Sequence, residues 1–336
     1  MNDRIKFRAK ELAIILSHYD LGTISEIHSY RRGNPHSPKA VISSEKGKFF
    51  LKRRAPGRDD PARVALAHEL QIFLAHQGFH VPRLVIPLHG QSSMLQAYSF
   101  IYEMFEFIPG DGYDASDIAT RRAGEVLRAF HRRLEGHQSP HTIPQGGYHD
   151  CPGIRRNIQM AFEKLKNDTA YGPAQERESL AETMSQAYAD ACARVRLEGP
   201  AVICHGDWHP ANLIFRQQQV VSVLDFDSVH YLHPLGDVAT GCLQFSMLVR
   251  GRNPADWPDF PDIPRARSFL QGYREGAWPR AELENVINLM IEALIAESVT
   301  PIAATGMFAN VQGLDFLRMI ARKVRWLQEQ AVEALS

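Results

Sequence analysis

The chain reads as an α+β protein, with a small, mainly antiparallel β part at the N-terminal end and a larger, mainly helical part after it. Three observations predict this. Short β-rich runs dominate the stretch up to residue 107, helical periodicity takes over beyond the turn signal "PGDG", and strands return only around residues 201 to 225. The expected division is therefore 1–107 and 108–336.

In the β part, "KAVISS" and "KFFLKRR" are joined by "EKG", a hairpin turn. The segment "PARVALAHELQIFLAHQG" then carries apolar residues at Val64, Leu66, Leu70, Ile72, Phe73 and Leu74, with Pro61 suited to a helix start and Gly78 to its stop. "SFIYEMFEFI" is a further strand. Beyond Gly112, "SDIATRRAGEVLRAFHRRLEG" has Ser116 as a cap and a stripe through Val126, Leu127, Phe130 and Leu134. A second helical region from Ile154 to Glu198 is interrupted by "NDTAYGP". "AVICHGD", "NLIF" and "VVSVLDF" are strands, with "RQQQ" as the turn between the last two. After Asp237 the pattern is helical apart from "NPADWPDFPDIP", and a stripe at Leu314, Leu317, Ile320, Val324 and Leu327 marks one face of a helix.

Composition narrows the class. The 336 residues are 44% hydrophobic, enough for a substantial core, and Lys plus Arg equals Asp plus Glu at 38 each. That balance argues against a dedicated nucleic-acid binder, and the basic run "KRRAPGR" reads as a solvated strand end. Cys151, Cys192, Cys204 and Cys242 form no CxxC pair, which argues against a zinc module or disulfide framework and fits a reducing cytoplasm. The first residues lack a signal-peptide core, and no apolar stretch approaches the roughly 20 residues of a membrane span, so a soluble protein without a membrane partner is expected.

The chemistry concentrates in "VICHGDWHPANLIF". Asp207 and Asn212 stand as D-x-x-x-x-N, the spacing that phosphoryl transfer uses: the aspartate orients an acceptor hydroxyl and takes its proton, and the asparagine oxygen holds a metal on nucleotide phosphates. A second metal ligand follows thirteen positions later, as Asp225 in "VSVLDFD". Taken singly, each is better read as a cap or a turn residue. Their combination on strand ends points to a site.

With "HGDWHPANLIF", "VLDFDS" and the later "GDVA", the chain resembles the aminoglycoside phosphotransferase and choline kinase-like group, which shares the two-lobed protein-kinase fold. The resemblance extends loosely over most of the chain. It implies ATP or GTP and magnesium, with Lys52 on the third strand contacting phosphates and pairing with Glu69 on the following helix. Backbone groups near Glu103, Met104 and Phe105 would read the base edge, although a plain buried strand is an equal local reading. His205 would fix the loop and Asp237 anchor it. Lys48 is a rival to Lys52, and Asp227 a water-mediated metal contact. The phosphate-covering loop falls in "SYRRGNPHSPKA", where Gly33 stands alone without G-x-G-x-x-G, and no Walker A motif is present.

Only twelve positions separate Asp225 from Asp237, leaving little platform for a polypeptide. The expected partner is a small hydroxyl-bearing molecule such as an amino sugar, amino alcohol, sugar or hydroxy amino acid. Asp256, Asp259 and Asp262 would attract a cationic acceptor or form an exposed acidic loop. Two other classes stay open. One is a catalytically inactive kinase-like binding module. The other is a metal-dependent hydrolase on His205, His209, His230 and His233, against which Gly206 and Pro210 make a helical His205/His209 zinc site a poor fit.

Overall fold

The computed structural model describes residues 4–89, 92–166 and 174–336. The chain forms two compact units, each discontinuous in sequence. One takes Met1–Gly112, Gly136–Ile143 and Leu213–Val229, and the other takes Tyr113–Glu135, Pro144–Asn212 and His230–Ser336.

The first unit is built on helix α1 (Ala9–Leu16) and a five-stranded antiparallel sheet. Its strands are β1 (Ile24–Ser29), β2 (Lys39–Ser44), β3 (Gly47–Arg53), β4 (Leu95–Ala97) and β5 (Phe100–Glu106), in the order β1-β2-β3-β5-β4. Alternation along the strands gives the sheet two different faces. Ile42, Phe49, Leu51, Tyr102 and Met104 bury against Ile15 and Leu16 of α1. The registers set Lys39, Phe50, Lys52, Glu103 and Phe105 on the opposite face. Helix α2 (Pro61–His76) begins at Pro61 as expected, with the Asp60 carboxylate accepting from the Ala62 N–H.

The "RQQQ" turn closes the hairpin of β7 (Leu213–Arg216) and β8 (Gln219–Val223), the preceding strand β6 (Val202–Cys204) lying in the other unit. Gln217 and Gln218 both take positive φ, the backbone of a tight two-residue hairpin turn. Phe215 exchanges backbone hydrogen bonds with Asp111, so this hairpin and the chain up to Gly112 belong to one unit.

The second unit is mostly helical. Ser116 caps α3 (Asp117–Arg133) by accepting from the Ala119 N–H. Helices α4 (Pro152–Lys166) and α5 (Ala174–Arg194) follow, and the "NDTAYGP" interruption lies outside the described residues. Strand β6 (Val202–Cys204) pairs with β9 (His230–Leu232), ahead of α6 (Leu235–Ser246) and α7 (Ile263–Tyr273). Helices α3 and α7 pack at Gly124 and Gly272, where an added Cβ would lie 2.2 Å and 2.1 Å from the carbonyl oxygens of Phe269 and Arg121.

Helix α8 (Arg280–Thr305) corrects one expectation. It is long and apolar enough to cross a membrane by length and composition, yet most of that window is buried inside the unit. It packs against α4, α5, α6 and α9 (Gly313–Glu329), and the chain ends in α10 (Ala331–Leu335). The striped residues Leu314, Leu317, Ile320, Val324 and Leu327 are all buried, as the period predicts.

Candidate active site

In the first unit, the register places Lys39 opposite Lys52 and Lys52 opposite Glu103, so all three project from one sheet face. The Glu103 carboxylate is 1% exposed, accepts three hydrogen bonds and pairs with one further cation. Lys52 Nζ is 3.7 Å away, Arg54 forks onto both oxygens at 2.9 and 2.8 Å, and His68 Nε2 donates at 2.8 Å. Burial, the largest influence, pushes this carboxyl up, but Lys52, His68 and Arg54 outweigh it and hold it well below the usual carboxylate range. Arg54 also reaches Asp227 at 2.7 Å, and Lys52 lies 3.9 Å from the same carboxylate. Burial lowers the Lys52 ammonium, while Glu103, Asp227 and Asp225 more than compensate, so the cation is retained.

Two sequence expectations are corrected here. The partner of Lys52 is Glu103 and not Glu69, because α2 turns His68 toward the sheet. Glu69 instead accepts from His137 Nε2 and Ser139 Oγ, both at 2.9 Å, and so ties the 136–143 segment to the first unit. Nor do Glu103, Met104 and Phe105 present backbone to a base. Their strand pairs with β3 along one edge, while on the other the Met104 carbonyl accepts from Val85 and Phe105 bridges to Leu84. Lys48 is exposed at the start of β3.

Further cations that the sequence reading passed over, Lys39 at the start of β2 and Arg4 ahead of α1, hold the loop between β1 and β2. Lys39 Nζ donates to the Arg32 carbonyl, and Arg4 to that of Gly33. With Lys6, Tyr30 and Arg31 they line a cavity of about 210 Å³. Burial and the neighbouring Lys52 lower the Lys39 ammonium, Asp225 partly opposing them.

In the second unit, the loop after β6 is fixed from beneath. The buried Asp237 carboxylate accepts the backbone N–H of His205 at 2.6 Å and of Gly206 at 2.9 Å, and His131 Nε2 donates to it at 3.2 Å. Gly206 has φ +76°, a conformation that costs glycine little and lets both amides aim at one carboxylate. The His205 ring packs edge-on against Phe130 and the fully buried Trp208. Asp237 and His205 therefore anchor the loop.

Asp207 stands above this anchor, and Asn212 Nδ2 donates to its carbonyl at 2.9 Å and its carboxylate at 3.0 Å. His209 Nε2 lies 3.4 Å from the same carboxylate. Burial pushes Asp207 up, but His209, His205 and Asn212 prevail and keep it below its ordinary value, so it is ionised at neutral pH. With its nitrogen turned to Asp207, Asn212 has its carbonyl oxygen left to offer a metal. Asp225, in the other unit, is an exposed carboxylate on a left-handed residue. Both are hard oxygen donors of the kind magnesium takes.

Two acidic or phenolic groups near Asp207 escaped the sequence reading. Glu297 of α8 accepts from Gln244 Nε2 at 2.6 Å, and burial together with Asp207 pushes its carboxyl up to about 7. Burial, Glu297 and Asp207 likewise raise the Tyr148 phenol. The available signal was a glutamate inside the apolar run "NLMIEALIAESVT". By contrast, Asp262 caps α7 and pairs with Arg265, and Asp259 pairs with Arg322, so this acidic stretch serves the fold.

The histidines considered for a hydrolase do separate jobs. His209 Nδ1 accepts from the Ala211 N–H, His233 Nε2 donates to the Glu198 carbonyl, and His205 and His209 do not share a helix. Among the described residues, the groups of three or more metal-ligating side chains are His131/Cys204/Asp237 and His149/Cys192/Glu292.

Residues 31–283 match the model of a family described as a phosphotransferase enzyme family. A homoserine kinase of Phenylobacterium zucineum (strain HLK1) is 24% identical over 222 residues, which span 64% of this chain and 62% of that protein, under two thirds of its length. Among solved structures, a microcompartment-associated aminopropanol kinase superposes with a TM-score of 0.70 at 14% identity, over 98% of this chain and 99% of that one. An amicoumacin kinase in complex with AMP-PNP, Ca2+ and Ami superposes with a TM-score of 0.67 at 14% identity, over 97% and 95%. At these identities the structures show the fold, that of kinase-like phosphotransferases.

Proposed function

This chain belongs to the phosphotransferase enzyme family, and on that premise we propose that it moves the γ-phosphate of ATP or GTP to a hydroxyl of a small amine-bearing molecule. The observation that carries the reading is the Asp207 carboxylate, held ionised beside Asn212 on a loop whose amides are tied to Asp237. Such a carboxylate orients an incoming hydroxyl and receives its proton as the new phosphorus–oxygen bond forms. Its low basicity suits a late proton transfer in a loose transition state.

Lys52, kept cationic by Glu103 and Asp227, is the proposed phosphate contact, and the cations Lys39, at the start of β2, and Arg4, ahead of α1, favour the same anionic ligand. Asn212 and Asp225 are the proposed magnesium ligands, and the bound ion would neutralise charge on the phosphates. Glu103 supports Lys52, so base reading passes to the segment after β5.

An amine on the acceptor is favoured by Glu297, a carboxylate near Asp207 whose one described hydrogen bond comes from a neutral amide. An ammonium would ionise it and sit between Glu297 and Tyr148. Homoserine kinase and aminopropanol kinase, by name, act on molecules of this kind. We place the reaction in the cytoplasm, which suits four free cysteines. The test is nucleotide consumption with magnesium across amino alcohols, hydroxy amino acids, amino sugars and plain sugars. Turnover confined to amine-free sugars would overturn the acceptor assignment.

A further inference from the structure

A second cluster in the helical unit has no part in this reaction. His149 lies in the loop before α4, Cys192 on α5 and Glu292 in the middle of α8, and their ligating atoms all fall within 4.8 Å of one another. His149 Nδ1 is 3.0 and 3.2 Å from the two Glu292 oxygens. We propose that His149, Cys192 and Glu292 form a site for one zinc-class divalent ion that clamps the 144–151 loop to α5 and α8.

The donor set fits such an ion. One imidazole nitrogen, one thiolate and one carboxylate are the ligand types zinc takes, and a tetrahedral ion holds such atoms roughly 3.4–3.6 Å apart. Closing the cluster onto a metal therefore needs shifts of about 1 Å or less. Glu292 is fully buried within α8, a long apolar helix most of which is buried, where a carboxylate is costly without compensation. His149 is 28% exposed, which leaves a route for the ion and room for water as a fourth ligand.

The site has supporting contacts as well. Tyr188, one turn before Cys192 on α5, accepts from the Cys151 N–H and donates to the Tyr148 carbonyl. Burial and Glu292 push the Cys192 thiol up to about 11, so the metal-free thiol is protonated and binding releases its proton. In the metal-free protein the Cys192 thiol hydrogen-bonds the Glu292 carboxylate, so the sulfur, the imidazole nitrogen and the carboxylate already converge on one point. The loop so held carries Tyr148, which lies near Asp207 and Glu297, so the ion would stiffen one wall beside Asp207.

The experiment is a metal titration of the intact, nucleotide-free protein purified in chelator. Cobalt(II) is the optical probe, and zinc(II) competes against a chelating dye. The expected result is one equivalent per chain, a cobalt–thiolate charge-transfer band, and displacement of cobalt by zinc. Changes outside the ligand shell alone weaken metal sites by about 10–100-fold. Loss of a ligand in Cys192→Ser or His149→Ala should therefore cost at least about 100-fold, with the band absent in Cys192→Ser. Cys151→Ser should keep both affinity and band, and far-UV circular dichroism establishes that each variant is folded. Absence of stoichiometric binding, cobalt binding without a thiolate band, or a band that survives Cys192→Ser would each overturn the site.

Discussion

Lys52 and Glu103 face each other directly across the β3–β5 ladder, 3.7 Å apart, and the same carboxylate carries the Arg54 fork and the His68 imidazole. Removing one member of a buried ionic cluster leaves uncompensated charge, at about 3–5 kcal/mol. Glu103→Gln should therefore lower unfolding stability by that order and weaken nucleotide binding through a displaced Lys52. Glu69→Gln should leave nucleotide affinity near wild type. Urea denaturation and nucleotide titration of both variants check this, and a large nucleotide defect confined to Glu69→Gln would restore the helix glutamate as the partner.

Asp207 and Lys52 should separate kinetically. Asp207→Asn keeps the shape of the loop and removes the base, which typically contributes a factor of roughly 100 to 10,000. Turnover should fall by that order with nucleotide affinity little changed, whereas Lys52→Met should weaken nucleotide binding, turnover or both. Near wild-type turnover in Asp207→Asn would sink Asp207 as the base, whereas nucleotide binding without turnover of any acceptor by the wild type would favour an inactive binding module.

Asp225→Ala should raise the magnesium concentration needed for half-maximal activity, because a hard oxygen ligand is lost. Magnesium titration of the nucleotide-bound variant measures it. An unchanged requirement excludes Asp225 as a ligand.

Asp237 and Glu297 should give opposite pH signatures. Burial raises the Asp237 carboxyl, but His131, His205 and the Gly206 N–H outweigh it, so the folded pKa lies below the unfolded one. Its stabilisation is present above the ordinary carboxylate range and is lost as the pH falls through the folded value. Asp237→Asn should therefore lower stability at pH 7 and flatten the acid limb of the stability profile, as denaturation midpoints at several pH values would reveal.

Glu297 has its carboxyl raised to about 7, so the folded state holds the proton more tightly than the unfolded state does. Its ionisation costs stability progressively from the ordinary carboxylate range up to about pH 7, and fully above it. Glu297→Gln should gain stability relative to wild type at pH 8 but not at pH 4. It should also raise KM for amine-bearing acceptors more than for sugars. A KM indifferent to the acceptor's amine would remove Glu297 from acceptor recognition.

The D-x-x-x-x-N spacing, the DFD carboxylate and the β-to-helical switch were legible in the sequence because each depends on neighbours a few residues apart. So were the ends of α2, marked by Pro61 and Gly78. The partner of Lys52 was not legible. His68 and Glu69 are adjacent on a helix whose buried residues, Val64, Leu66, Ala67, His68, Leu70, Gln71 and Leu74, run around much of its circumference. Without a clear apolar stripe, packing alone decided which of the two turned to the sheet. Glu297 was hidden in the same way, inside a helix buried on most sides. The 136–143 and 213–229 segments joined the first unit through Glu69 and Phe215, contacts far apart in the chain. His149, Cys192 and Glu292 meet across 143 residues, a proximity that no local pattern encodes and only the closed tertiary structure brings about.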